Sequence, residues 1–294
     1  MNIYICTIIS KKNIRFLNSY LNSLRQLRIP NNCKLEMVFV INPKIYKTKC
    51  LIKKLLYKID YVILKSSKDN IPYSRNIFLK YLKNKNFQYA GFLDDDCIIN
   101  KNWLFNMINF ICKNNCDIVG GPQKHKVKNK VFLDYYEILE PRRHDNKLIN
   151  WVATNNCFFS KKVLIKSNII FDLRLARYGG SDQLFFSELS KKKFKIKWNK
   201  SSFITENYNP ERESKVWFLK RNLRYGYSGN LIDKKIYGKI GLIIICMKIL
   251  YLIFCALLFL VFPNRKNFIK SSFFLSRASG RLIGIFNYKP KKYI

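Results

Sequence analysis

The chain reads as an α/β protein, an open sheet flanked by helices, followed by an apolar helical segment. Three observations carry this. Short β-branched runs alternate with amphipathic stretches over the first third of the sequence, one such run stops at three consecutive aspartates, and a long apolar segment lies near the C-terminus. Alternating β and α elements form a largely parallel sheet with right-handed crossovers.

Residues 3–9 (Ile-Tyr-Ile-Cys-Thr-Ile-Ile) are apolar on both faces, which suits a strand buried within a parallel sheet. Asn13 is placed to cap a helix in which Ile14, Leu17, Leu21 and Leu24 recur at helical spacing until Pro30. A strand at 36–41, a basic helix over about 47–58 and a strand at 61–64 follow. Ser74, after Pro72, is placed to cap a helix running to Lys83, and 88–93 reads as another buried strand. Beyond it, strands at 117–119, 151–159 and 194–198 with helices near 160–167 and 182–192 predict a second half-sheet completing the same domain. Such sheets bind ligands at the carboxyl ends of their strands, and Thr7, Asn42 and Asp94 to Asp96 all fall there.

Composition narrows the function classes. With 294 residues, 48% hydrophobic and 15% aromatic, a disordered tail, a coiled coil and a disulfide-stapled miniprotein are excluded. The 55 Lys and Arg against 18 Asp and Glu give +37, which favours an anionic partner: nucleic acid, an acidic membrane surface or a phosphorylated substrate. The same lysine-rich, asparagine-rich composition is also what an AT-rich coding sequence produces. Nine cysteines without a C-x-x-C pair, and only His125 and His144, leave little for a zinc site or a serine-type triad, so reduced thiols are expected. The basic residues are spread rather than clustered with stacking aromatics, which argues against a nucleic-acid module.

Asp94-Asp95-Asp96 is costly unless a cation or a donor-rich ligand offsets the mutual repulsion. Mg²⁺ and Mn²⁺ take one or two carboxylates together with phosphate oxygens and water, so an Asp-x-Asp at a strand end suits a nucleotide diphosphate; a solvated acidic turn is the alternative. Gly179-Gly180-Ser181-Asp182 opens a helix, where Asp182 either faces a cleft or steadies the helix end. Arg75 lies near another helix start, within reach of a phosphate or a base. Glu206 and Arg212 precede a helix carrying Arg221 and Arg224, three apart on one face, able to grip a diphosphate or to lie on acidic lipid.

Taken in order, these pieces resemble the family 2 glycosyltransferases of the GT-A fold. The match runs from Thr7 through Pro72-Tyr73-Ser74-Arg75-Asn76, Phe92-Leu93-Asp94-Asp95-Asp96, Gly120-Gly121-Pro122, Thr154-Asn155-Asn156 and Gly179-Gly180-Ser181-Asp182 to Glu206–Arg212 and Arg221-Asn222-Leu223-Arg224-Tyr225-Gly226. The resemblance implies an inverting transfer from a nucleotide-diphosphate sugar, expected to be UDP-linked, to a hydroxyl of a glycan or lipid-linked acceptor. It implies Asp182 as the general base, Asp94 and Asp96 on Mn²⁺ or Mg²⁺, and Thr7, Asn42, Arg75, Asp94 and Asp95 on the nucleotide. Asn42 stands where the family carries an acidic base-reading residue, which leaves uridine and other nucleosides open. A sugar-phosphate nucleotidyltransferase is the related alternative, although no Gly-rich phosphate loop is present near the N-terminus. A non-catalytic basic membrane-binding or nucleic-acid-binding protein is the more distant one.

The expected division is a catalytic domain over 1–230 and a membrane-associated helical region over 231–294. Segment 240–262 is long enough to cross a hydrocarbon layer at about 1.5 Å per residue, broken only by Lys248. Basic residues flank both ends, and a second apolar segment follows at 268–286, so an in-plane or re-entrant hairpin with Lys248 snorkelling competes with a full span. The buried helical pair of a soluble protein is the third possibility. The opening strand, with no basic leader before it, places the catalytic part on the cytoplasmic side of the membrane.

Overall fold

A computed structural model describes residues 1–140 and 143–286. Residues 141 and 142, and 287–294 at the end of the expected C-terminal region, lie outside the described residues. In chain order the elements are β1 (Asn2–Ile9), α1 (Ile14–Arg25), β2 (Lys34–Ile41), α2 (Lys49–Leu55), β3 (Asp60–Lys65), α3 (Ile71–Lys83), β4 (Tyr89–Leu93), β5 (Cys97–Ile99) and α4 (Trp103–Lys113). Then come β6 (Ile118–Gly120), β7 (Gln123–His125), α5 (Val131–Leu139), β8 (Asn156–Ser160), α6 (Lys161–Ser167), α7 (Ser181–Lys191), β9 (Ile196–Trp198) and β10 (Ile204–Glu206). Three long helices end the described chain: α8 (Lys215–Tyr237), α9 (Gly241–Val261) and α10 (Arg265–Ile285). Two compact units result, Met1–Lys126 with Arg143–Leu173 and Phe185–Asn207, and Val127–Arg142 with Arg174–Leu184 and Tyr208–Ile294. Residue 230, the expected boundary between the catalytic and membrane-associated regions, falls inside α8.

The first unit is built on a seven-stranded sheet of order β3-β2-β1-β4-β8-β6-β9. Strands β1 to β4 are mutually parallel, and β8 runs antiparallel to both β4 and β6, so the sheet is mixed. Period-two alternation feeds both faces. Ile3, Ile5 and Ile9 of β1 pack with Leu17, Tyr20 and Leu21 of α1 and with Trp103 of α4, whereas Tyr4 and Cys6 pack with Phe78 and Leu82 of α3 and Phe186 of α7. The fully buried Trp103 keeps its polar end satisfied, donating from Nε1 to Asn156 Oδ1 at 2.7 Å, while Asn156 Nδ2 donates to the carbonyls of Pro122 and Ser202. A Cβ on Gly121 would stand 2.1 Å from Ser202 O, so only glycine permits this approach. The motif residues Gly121 and Asn156 are therefore packing devices.

Three expectations are corrected. The strand expected at 151–159 is confined to Asn156–Ser160. Asn70, not Ser74, caps α3, accepting from the Tyr73 N–H at 2.9 Å, and the Ser74 hydroxyl donates instead to Ser66. Asn13 leaves α1 uncapped because its amide is drawn to Asp95. A three-stranded sheet of order β5-β10-β7 was not foreseen; each strand is only three residues long, too short to show a period.

In the second unit α8, α9 and α10 pack on one another, with α5 against α10. Aromatic rings gather around Phe218, which lies 5.1 Å from Tyr135 and 5.9 Å from Phe273. Small residues let α8 and α10 cross closely: a Cβ on Gly280 would meet Leu223 O at 1.9 Å, and one on Gly226 would meet Arg277 O at 2.1 Å. Along this seam Arg277 Nε donates to Asn222 Oδ1 (2.6 Å), and Arg281 Nη1 donates to Asn230 Oδ1 (3.1 Å) and Asp233 Oδ2 (2.8 Å). Lys248 of α9 joins the same network, 2.7 Å from Asp233 Oδ1. Lys248, for which snorkelling was one expectation, thus pairs with a buried carboxylate while its own side chain stays 41% exposed.

Candidate functional site

In the first unit the parallel strands β2, β1 and β4 lie side by side, so their carboxyl ends bring Asn42, Thr7 and the aspartate run to one edge of the sheet. The three aspartates form a turn between β4 and β5 and serve different ends. Asp95 is only 2% exposed and accepts from the Ser10 N–H and from Asn13 Nδ2, both at 2.6 Å. Burial pushes its carboxyl up to about 8 against the pull of these two donors. Asp96 is held through its main chain, its carbonyl accepting from both the backbone N–H (2.9 Å) and the side-chain amide (3.0 Å) of Asn207. The same Asn207 amide also donates to Ser19 on α1. Asp94 is the most exposed of the three.

Around this edge Thr7 is fully buried, its hydroxyl hydrogen-bonded to Tyr20. Arg75 is 8% exposed, with its guanidinium 5.3 Å from the centroid of Phe171. Burial raises the Cys6 thiol first of all, Arg75 pulls it down and Asp94 pushes it up. Asn42 turns its side-chain oxygen to the Lys44 N–H at 3.0 Å. Glu206, expected at a diphosphate or acceptor, is 5% exposed and lies 2.7 Å from His125 Nδ1 on the neighbouring strand β7.

The remaining expected residues belong to the second unit. Gly179 and Gly180 adopt φ of +77° and +82°, the left-handed region that favours glycine, and lie against α8: a Cβ on Gly179 would be 3.7 Å from the Arg224 guanidinium. Asp182 follows in the first turn of α7, its Oδ1 accepting from the Gln183 N–H at 2.8 Å. Arg221 donates to the Tyr225 hydroxyl (2.7 Å), with its guanidinium 4.9 Å from the Trp217 ring centroid. Arg212 closes a short turn after Asn209, whose side chain caps it.

Asn13, Ser10, Asn207 and His125 escaped the sequence reading. Asn207 had a usable signal, as the residue after Glu206 in a run already singled out; the other three had none, because their partners are distant in sequence. Among the described residues no three His, Cys, Asp or Glu side chains converge into a metal cage. Two carboxylates suffice for Mg²⁺ or Mn²⁺ when a diphosphate and water complete the shell, and with Asp95 turned to Ser10 and Asn13 the pair that fits is Asp94 and Asp96.

Comparison with known proteins identifies the family and the fold. The profile of Glycosyl transferase family 2 matches residues 5–168. The succinoglycan biosynthesis protein ExoM of Rhizobium meliloti (strain 1021) is 23% identical over 233 residues, covering 74% of this chain and 72% of that protein. Among solved structures, S. aureus TarS 1–349 in complex with UDP-GlcNAc superposes with a TM-score of 0.56 at 13% identity, covering 98% of this chain and 92% of that one. The mannosyltransferase PcManGT from Pyrobaculum calidifontis, in complex with GDP-Man and Mn²⁺, gives 0.67 at 10% identity, covering 98% and 88%. The fold is shared nearly end to end and the family match spans more than half of the chain, which sets aside the nucleotidyltransferase and non-catalytic alternatives: this protein belongs to the family 2 glycosyltransferases.

Proposed function

We propose that the protein transfers a hexosyl residue from a UDP-linked sugar to a hydroxyl of a lipid-linked or glycan acceptor during surface-polysaccharide assembly, with inversion at the anomeric carbon. The observation that carries this is the divided labour of the aspartate run, in which Asp95 is built into the protein while Asp94 and Asp96 stand at the strand ends. Asp94 and Asp96 hold Mn²⁺ or Mg²⁺, which when bound supplies Lewis-acid stabilisation of the charge growing on the leaving diphosphate. Arg75 supports the nucleotide and its phosphates, alongside Thr7 and Asn42. Asp182 takes the proton of the attacking hydroxyl, and Arg212, Arg221 and Arg224 bind the diphosphate or an anionic acceptor. That ExoM is a succinoglycan biosynthesis protein supports a glycan acceptor, and that TarS was solved with UDP-GlcNAc supports a UDP-linked donor.

The membrane part of this reading is an in-plane helix on the cytoplasmic side. Among the described residues one helical run, 215–261, is long and apolar enough to cross a bilayer, and its most apolar window is only 22% buried. One face of α9, with Ile245, Ile249, Leu252 and Ala256, is buried, whereas Ile243, Met247, Leu250, Phe254 and Val261 of the other are 62–68% exposed. The helices that α9 packs on carry Arg277, Arg281, Asn230 and Asp233, which a spanning placement would drag into hydrocarbon. Lying in the interface spares them and gives the outer face its lipid.

The test is thermal stabilisation of the detergent-solubilised protein by a panel of nucleoside diphosphates and their sugars, with Mn²⁺, Mg²⁺ or chelator. A metal-dependent shift with uridine nucleotides, lost in Asp96→Ala, is expected. A shift confined to guanosine nucleotides would overturn the donor assignment. For the base, Asp182→Asn should lower turnover ~10²- to 10⁴-fold with donor affinity retained; equal loss of both would contradict the role.

A further inference from the structure

The second unit holds a cavity of about 600 Å³, within the range of small-molecule sites. It lies between α5, the start of α8 and the turn joining α9 to α10, walled by Val131, Leu219, Leu260 and Phe268. Leu219, Leu260 and Phe268 are themselves 37%, 45% and 68% exposed, so the walls stay open. An apolar space of this size gives water too few partners to order it. Leu260, 45% exposed, flanks the buried face of α9, so the cavity wall reaches the surface of the helix whose outer stripe is assigned above to lipid.

The rim is cationic. Lys215 and Arg265 line the cavity and Lys266 adjoins it. Asp134 and Glu137 offset part of this charge, Asp134 lying 3.6 Å from Arg265 and 3.2 Å from Lys266, and Glu137 3.2 Å from Lys266. No carboxylate pairs with Lys215 among the described residues. Three cations against two anions, at the mouth of an apolar slot, match a molecule with a hydrocarbon chain and one negative headgroup.

We propose that this cavity seats one acyl chain of an anionic membrane phospholipid, with the lipid phosphate at Lys215 and Arg265. The proposal rests on the in-plane reading of α9, since only then does the cavity open beside the acyl region. The seat makes the contact between α9 and the bilayer specific for headgroup charge, beyond the general attraction of a basic protein to an acidic surface.

The test uses the full-length protein in phosphatidylcholine vesicles containing phosphatidylglycerol with a photoactivatable group on one acyl chain. Crosslinks are expected in the peptides carrying Leu219 and residues 259–272, and Ser272→Trp, which fills the cavity, should abolish them while vesicle flotation persists through α9. Lys215→Gln should weaken the preference for phosphatidylglycerol over phosphatidylcholine about fivefold, with Lys215→Arg restoring it. Labelling spread along α9 and unchanged by Ser272→Trp would overturn the seat, as would displacement of the label by a polyprenyl phosphate but not by phosphatidylglycerol. Absence of flotation would overturn it together with the in-plane reading. Nucleotide-induced stabilisation, measured on the same samples, reports on the transferase reading separately.

Discussion

Replacing the middle and the last aspartate of the run should have opposite consequences, because one is a structural tie and the other is the metal-holding group proposed above. Asp95→Ala removes the acceptor of two donors, the Ser10 N–H and the Asn13 amide, each held at 2.6 Å by a carboxylate only 2% exposed. Leaving a buried donor without a partner costs about 1–3 kcal/mol. The Ser10 N–H is fixed by the backbone, while Asn13 can rotate toward solvent, so a total of about 2–4 kcal/mol is expected. At about 2–4 °C per kcal/mol for a chain of this order of size, the melting temperature should fall by about 4–16 °C. Asp96→Ala keeps the main-chain carbonyl on which Asn207 acts from two donors, and stability should stay within about 1 kcal/mol of the parent. Differential scanning fluorimetry of both variants, with and without metal and nucleotide, is the assay. Asp95→Ala should melt early yet still respond to nucleotide, and Asp96→Ala should melt near the parent without responding. If Asp95→Ala melted with the parent, or if Asp96→Ala were the less stable of the two, the division between tie and ligand would be refuted.

Gly280→Ala should destabilise the helical unit by about 1–3 kcal/mol despite alanine's better helix propensity, since α8 and α10 must part by about 1.5 Å to turn a 1.9 Å approach into an ordinary contact; denaturant unfolding measures it. Asp233→Asn removes the charge that Lys248 and Arg281 share, leaving the buried Arg281 only neutral acceptors such as Asn230, and should cost about 3–5 kcal/mol, whereas Lys248→Met leaves Asp233 its arginine and should cost far less, a contrast open to the same measurement. In thiol labelling followed by mass spectrometry, Cys50 and Cys112, both exposed, should react quickly and the buried Cys6, Cys97 and Cys157 should be protected until the protein unfolds. Burial holds the Cys116 thiol up at about 11, so its thiolate is scarce at neutral pH and its labelling rate should go on rising as pH is raised through 10.

The sequence carried the large sheet well because β1, β2 and β4 are buried on both faces and therefore appear as apolar runs. Residues 3–9 and 36–41 announce themselves this way, as does 88–93. The small sheet was invisible: Cys97–Ile99 and Gln123–His125 are defined by partners far along the chain, not by a local period. Site residues followed the same rule. The Asp-x-Asp spacing is local and legible, but the inward turn of Asp95 depends on Ser10 and Asn13, more than eighty positions away, and the hold on Asp96 depends on Asn207 across a still longer separation. Ser74 was misassigned as a cap because Asn70, a stronger capping residue one turn earlier, competes for the same helix start.

The order of the last helices bears on how the protein is made. Helix α9 leaves the ribosome before α10, against which its inner face packs, exists. Elongation at roughly 5–20 residues per second leaves that face uncovered for about 1–5 s. During this interval an apolar helix with one lysine is the kind of segment that insertion machinery captures, and the carboxylate on α8 that pairs with Lys248 is already synthesised. Both partners of the Asp233–Lys248 bond are therefore synthesised before α10, whose Arg281 completes the network on the same carboxylate.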